Sequence, residues 1–96
     1  PENPDVHNNL AWLLATAQDQ TLRDPARAVA LARRAVELKL AGYILDTLAV
    51  ALWINGSVQA AVAAERRARE IDPDNAGYYR GQLRKMGQEA GAHGGL

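Results

Sequence analysis

The sequence predicts an all-α fold built from antiparallel pairs of helices, and three observations support this prediction. The composition is 48% hydrophobic but only 5% aromatic, without phenylalanine, which favours helices over strands. The segment AVALARRAVEL from Ala28 recurs as AVAAERRAREI from Ala61, with seven of eleven positions identical at a spacing of 61 − 28 = 33. Glycine and proline stand between the apolar segments, where helices end. The 96 residues therefore predict one small helical domain.

The second helix pair has the clearest pattern. Leu48, Ala49 and Leu52 lie at i, i+1 and i+4, on one face of a helix. Gly56 is expected to end that helix in a left-handed conformation, and Ser57 to cap the next one. The buried face of this next helix is predicted from Ala61, Val62, Ala64, Ala68 and Ile71.

The first pair has the same phase with a longer connection. We predict a first helix over about residues 4–17, with Asn3 as its N-cap and Pro4 at its first position. Ala11 and Ala49 occupy equivalent positions in the first helix of each pair and are 49 − 11 = 38 residues apart, whereas the second helices recur at a spacing of 33. The five extra residues are assigned to a polar loop at residues 18–24, where insertions cost little. Asp24 is expected to cap the second helix.

The last helix is predicted to stand alone at about residues 76–89, with Asp74 or Asn75 as its cap. Its apolar face consists of Tyr79, Leu83 and Met86. The glycines that follow predict a flexible tail at residues 90–96. No Asp-Pro dipeptide ends the second helix, unlike the fourth helix, which Asp72 and Pro73 follow. Gly42 alone is therefore expected to separate the two helix pairs.

The spacing of the signature residues resembles the tetratricopeptide repeat (TPR) family. The matching residues are Leu48, Ala49, Leu52, Gly56, Ala61, Ala68 and Pro73. The resemblance covers repeat 1 at about residues 4–41, repeat 2 at about 42–75 and a capping helix. It implies a right-handed α-α superhelix of five helices. Glu65 departs from the signature, because the family usually has an aromatic residue there.

The resemblance also implies a protein–protein interaction module that binds a peptide or protein partner in a concave groove. The family's groove positions, with the residues of the capping helix, correspond here to Asn8, Trp12, Tyr43, Asp46, Val50, Trp53, Arg80 and Arg84. The two tryptophans are expected either to anchor a partner or to pack against the groove floor. The two arginines would favour a partner carboxylate.

One family activity is disfavoured by the residues present. Members that bind chaperone tails use a clamp of lysine, asparagine and arginine side chains. The matching positions here are Asn8, Trp12, Thr47, Gly77 and Gly81, and none keeps its clamp residue. We therefore do not expect a chaperone-tail clamp.

Two alternatives to the interaction module remain open. The chain could be a structural, self-assembling fragment of a longer repeat array that forms a homodimer, with Val6, Leu13 and Met86 uncovered in the single copy. It could also be a non-catalytic accessory domain of a larger enzyme. Because the chain begins without methionine, we expect it to be a piece of a longer protein.

Charge and motifs argue against other classes. Eleven basic and eleven acidic residues give zero net charge, so we expect no nucleic acid and no membrane as partner. His7 and His93 are the only histidines, and no catalytic or metal-binding motif surrounds them. We expect no enzyme activity, no cofactor and no metal. The recurring Arg33-Arg34 and Arg66-Arg67 pairs are interpreted as a solvated outer face rather than an anion-binding stripe. A cytoplasmic location is the expectation, although the lack of cysteine does not determine the compartment.

Overall fold

The computed structural model describes residues 2–87, which form five α-helices and no strand. The helices are α1 (Pro4–Thr16), α2 (Pro25–Leu38), α3 (Gly42–Ile54), α4 (Val58–Ile71) and α5 (Ala76–Lys85), with 3-10 turns at Gln20–Leu22 and Pro73–Asn75. The predicted all-α class is confirmed. Helix α5 ends at Lys85, earlier than the predicted capping helix. Residues 88–89 of that predicted helix and the predicted tail lie outside the described residues.

Side-chain caps start the first two helices as predicted. Asn3 Oδ1 accepts hydrogen bonds from the backbone N–H groups of Asp5 at 2.8 Å and Val6 at 3.4 Å. Asp24 Oδ1 accepts from the Arg27 N–H at 3.2 Å. Both helices have proline in their first turn, where the missing N–H would have no helical partner. These starts are therefore encoded locally.

The connection between α3 and α4 is a Schellman turn. Gly56 has φ +89°, and its N–H donates to the Trp53 carbonyl at 3.0 Å. The Ser57 N–H donates to the Leu52 carbonyl at 2.8 Å. The predicted Ser57 cap is wrong, because its side chain makes no capping hydrogen bond. Because the connection has only three residues, Ser57 takes part in the turn that ends α3 and also directly precedes α4. Its ψ of 69° departs from the extended backbone of a typical N-cap.

Helix α3 forms the centre of the molecule. Ten of its 13 residues are buried, and it packs against α1, α2 and α4. Ala49 of α3 and Ala61 of α4 are both fully buried in one apolar cluster, so the backbones of this hairpin lie close together. Met86 belongs to the same cluster, so the expectation that it stays uncovered is wrong. Val6 and Leu13 of α1 are exposed.

Gly42 has a different role from the predicted one. The break before α3 is formed by residues 39–41, and Gly42 is already the first residue of α3. A Cβ atom added to Gly42 would lie 2.4 Å from Tyr79 Oη and 2.7 Å from Asp72 Cβ. Tyr79 Oη donates to Asp72 Oδ2 at 2.6 Å, a bond that lowers the pKa of Asp72. The absence of a side chain therefore lets the junction between α4 and α5 rest against α3.

We predict that Gly42→Ala destabilises the fold by about 1–3 kcal/mol, because the new methyl group must displace Asp72 and Tyr79. Gly81→Ala is the matched control, since a Cβ at Gly81 in α5 meets no atom within 4 Å. That control should gain up to about 1 kcal/mol from helix propensity. Urea denaturation followed by circular dichroism measures both. If the denaturation midpoints of both variants shift equally and in the same direction, the close approach at Gly42 does not affect the stability of the fold.

Candidate functional site

A groove of about 360 Å³ opens where α1, α3 and α5 meet. We call it the aromatic groove, and its lining residues are Asn8, Asn9, Trp12, Tyr43, Asp46, Thr47 and Tyr78. Residues four apart lie on one helical face, so α1 contributes Asn8 together with Trp12, and α3 contributes Tyr43 together with Thr47. The aromatic groove thus combines three aromatic side chains with amide, hydroxyl and carboxyl groups.

Four of the eight residues predicted from the groove positions line the aromatic groove: Asn8, Trp12, Tyr43 and Asp46. Val50 is instead buried in the apolar cluster of the core. Trp53 lies in the last turn of α3, outside the groove lining, and is 36% exposed. Arg80 and Arg84 are exposed on α5 and also lie outside the lining. Trp12 is 39% exposed, so its ring is only partly packed.

Tyr78 is a groove residue that the sequence analysis missed. It lies 78 − 44 = 34 residues after Ile44, which is fully buried in the second pair. If the repeat spacing continued into α5, the side chain of Tyr78 would be expected in the core. Because α5 is the last described helix, Tyr78 is instead 54% exposed. Its hydroxyl donates to Asp46 Oδ2 at 3.1 Å.

One wall of the groove is held by a chain of hydrogen bonds. Tyr43 Oη donates to Asp5 Oδ1 at 2.5 Å, and Lys39 Nζ donates to Tyr43 Oη at 3.0 Å. The same ammonium group lies 5.3 Å from the centroid of the Tyr43 ring. The hydrogen bond to Tyr43 raises the pKa of Lys39. This chain connects α1 to the start of α3 and places a cation beside a groove aromatic.

The floor of the groove is formed by the carboxylate of Asp46, which is only 5% exposed. Its Oδ1 accepts from Gln82 Nε2 at 3.1 Å, and its Oδ2 accepts from the Tyr78 hydroxyl. Partial burial, followed by the charge of Asp46, raises the pKa of Tyr78 to about 12. Both donors are neutral and belong to α5. Asp46 therefore ties α3 to α5 without cancelling its own charge.

Glu65 of α4 lies next to Asp46 and is fully buried. Neither of its carboxyl oxygens finds a hydrogen-bond donor among the described residues. Burial first, and then the hydrogen bond to Asp46 and the charge of that residue, raise the pKa of Glu65 to about 9. A protonated Glu65 becomes a donor to Asp46, which resolves the missing partner. At neutral pH Glu65 therefore keeps its proton.

Asn8 also carries a buried acceptor atom. The residue is 8% exposed, and its Oδ1 atom is buried with no hydrogen-bond partner in residues 2–87. A buried amide oxygen without a donor is unfavourable by about 1–3 kcal/mol. Two residues that line the aromatic groove, Asn8 and Asp46, therefore carry acceptor groups, and the Oδ1 atom of Asn8 is itself closed to solvent.

A second groove of about 650 Å³ is mainly apolar. Its lining residues are Arg33, Val36, Glu37, Leu45, Leu48, Leu52, Ala60, Ala63, Ala64 and Arg67. The neighbouring Arg34 pairs with Glu2 and lies 3.9 Å from Glu37. Arg33 and Arg67 line this groove and are exposed.

No protein-family model matches this chain, and comparison with curated proteins and with solved structures finds no match either. In the part of the chain that the structure describes, no group of three or more histidine, cysteine, aspartate or glutamate side chains could hold a metal ion. None of the helices within residues 2–87 has the length and apolar character needed to cross a membrane.

We predict that Glu65 makes stability fall as pH rises. Its folded-state pKa of about 9 lies above the ordinary 4.5, so between these values the folded state holds a proton that the unfolded state releases. The contribution is complete below about pH 4.5 and is lost as pH rises towards about 9. Glu65→Gln keeps a neutral donor to Asp46 without titrating.

Urea denaturation at about pH 5.5 and about pH 8.5 tests this pH dependence. Glu65→Gln should lose less stability than the wild type over this interval and be the more stable of the two at the higher pH. Glu70→Gln, an exposed glutamate of the same helix, is the matched control and should follow the wild type. An equal loss in all three chains would contradict the buried proton.

Proposed function

We propose that this chain is a TPR-like protein–protein interaction module that binds an extended segment of a partner protein in the aromatic groove. The observation that carries the proposal is that one groove combines three half-exposed aromatic residues with an Asn8 acceptor that has no partner in the described part of the chain. The aromatic residues are Trp12, Tyr43 and Tyr78. Aromatic anchors beside orienting polar groups are typical of residues that dominate binding energy at interfaces.

The identity of the helices that line the groove supports the proposal that the chain is TPR-like. The lining of the aromatic groove comes from α1, α3 and α5, which are the first helices of the proposed units and the capping helix. The resemblance implies that such helices line a concave, right-handed superhelical surface. Glu65 occupies the position where the family signature usually has an aromatic residue. In this chain the position makes a polar contact with Asp46 in the core in place of the apolar packing of an aromatic ring.

The carboxyl pair favours binding over catalysis. Asp46 and Glu65 have the chemistry of an acid–base pair, but Glu65 is fully buried and the hydrogen bonds that Asp46 accepts come from Tyr78 and Gln82. A general acid or base must reach a substrate proton within hydrogen-bond distance. Glu65 has no such access, so we assign the pair to the junction of α3, α4 and α5.

A homodimer is the second candidate, favoured by the outer surface of α1. Val6 and Leu13 are 62% and 53% exposed, and Trp12 lies next to Leu13 in sequence. A second copy of the chain that covers this surface would bury all three apolar side chains, and a two-fold dimer is the commonest such arrangement. In that case Trp12 would serve assembly instead of partner binding.

We predict that Trp12→Ala weakens binding of peptides selected from a random display library by about thirtyfold, the equivalent of a 2 kcal/mol hot spot. Trp53→Ala is the matched control, because Trp53 has nearly the same exposure, 36% against 39%, but lies outside the groove. Isothermal titration calorimetry compares the variants.

The same two variants separate the candidates. If the wild type sediments as a dimer and Trp12→Ala converts it to the 10.4 kDa monomer without affecting any peptide, the homodimer replaces the interaction module. Selection of no peptide, or equal losses for Trp12→Ala and Trp53→Ala, would contradict peptide binding in the aromatic groove.

A further inference from the structure

We propose that the aromatic groove contains a subsite for a cationic side chain, a lysine or arginine, of the bound segment. This inference rests on the proposed function and specifies the chemistry of its ligand. Three features of the groove lead to it: acceptor groups with unused capacity, an uncancelled negative charge and a set of aromatic rings.

The acceptor capacity comes from Asp46 and Asn8. A carboxylate offers about four acceptor positions, and Asp46 uses one for Tyr78, one for Gln82 and one for the protonated Glu65. The buried Oδ1 atom of Asn8 has no hydrogen-bond partner among residues 2–87. An ammonium or guanidinium group carries only donors, three or five of them. A cation in the groove therefore fits the unused acceptors, whereas an anion would bring further acceptors.

The charged groups that contact the residues lining the groove carry a net negative charge. Asp46 is charged, and the buried Glu65 that faces it from α4 is neutral because it holds the proton of the pair. Lys39 and Asp5 are both bonded to the Tyr43 hydroxyl, so their charges offset each other across one residue. The sum over these four groups is one negative charge at the groove floor. Complementary charge in such a site chiefly determines which partner is accepted.

The aromatic rings add attraction for the same kind of ligand. Trp12, Tyr43 and Tyr78 line the groove, and the face of such a ring attracts a cation within about 6 Å. Lys39 already lies 5.3 Å from the Tyr43 ring centroid. The carboxylate ligand expected from Arg80 and Arg84 does not fit this groove, because both arginines lie outside its lining.

Small probes test the subsite without requiring the natural partner. We would titrate the full chain with n-butylammonium or n-butylguanidinium and follow nitrogen–proton NMR signals of the Trp12 indole and the Asn8 amide. Neutral 1-butanol and anionic butyrate are the ligand controls. The cations should shift both signals saturably, and the two control molecules should shift neither at the same concentration.

Three variants locate the binding. Asp46→Asn removes the charge and should weaken cation binding about tenfold or more, whereas Asp74→Asn, an exposed aspartate outside the groove, should leave it unchanged. Trp12→Leu alters only a half-exposed side chain, so it decides the outcome if Asp46→Asn fails to fold. Equal shifts with 1-butanol, or cation binding that survives both groove variants, would overturn the subsite.

The peptides selected on the chain distinguish this inference from the proposed function. Selected peptides that require Trp12 and contain lysine or arginine support both. Peptides that require Trp12 but lack any basic residue would sustain the proposed function and overturn the cationic subsite. If cations bind through Asp46 but no peptide is selected, the subsite stands and the peptide-binding function fails.

Discussion

The contact between Asp46 and Glu65 is the constraint on which the groove depends. Two buried carboxyl groups in contact cannot both be ionised without a large electrostatic cost, so one of them keeps its proton. Glu65 is the more deeply buried of the two, at 0% exposure against 5%. Asp46 then remains the acceptor that holds Tyr78 and Gln82 of α5. The proton on Glu65 thereby joins α4 to Asp46 of α3, which in turn holds α5 at the floor of the groove.

Much of the fold could be predicted because its signals are local. The caps at Asn3 and Asp24 and the left-handed Gly56 depend on a few neighbouring residues, and the structure has all three. Gly42 could not be assigned correctly, because its role depends on Asp72 and Tyr79, about 30 or more residues away in the chain. A glycine looks the same in sequence whether it ends a helix or permits a close approach.

The site was only partly predictable for a related reason. Helical phase identifies which side of a helix faces the groove, but it does not say where along the helix another element covers it. Val50 is therefore buried although its phase matches that of Asp46. Glu65 and Gln82 were visible as polar residues at core positions, since Gln82 lies 82 − 48 = 34 residues after Leu48. That these polar residues converge on Asp46 could be learned only from the packing of three helices.

The most direct test of this account is the titration of Glu65 itself, followed through its side-chain carboxyl carbon by carbon-13 NMR. We expect the Glu65 resonance to titrate with a pKa of about 9, far above the ordinary 4.5. Asp46→Asn, which removes the neighbouring charge, should lower this pKa. A Glu65 carboxyl group that titrates near the ordinary value in the folded wild-type chain would contradict the proton on Glu65, and with it the proposed origin of the groove's negative charge.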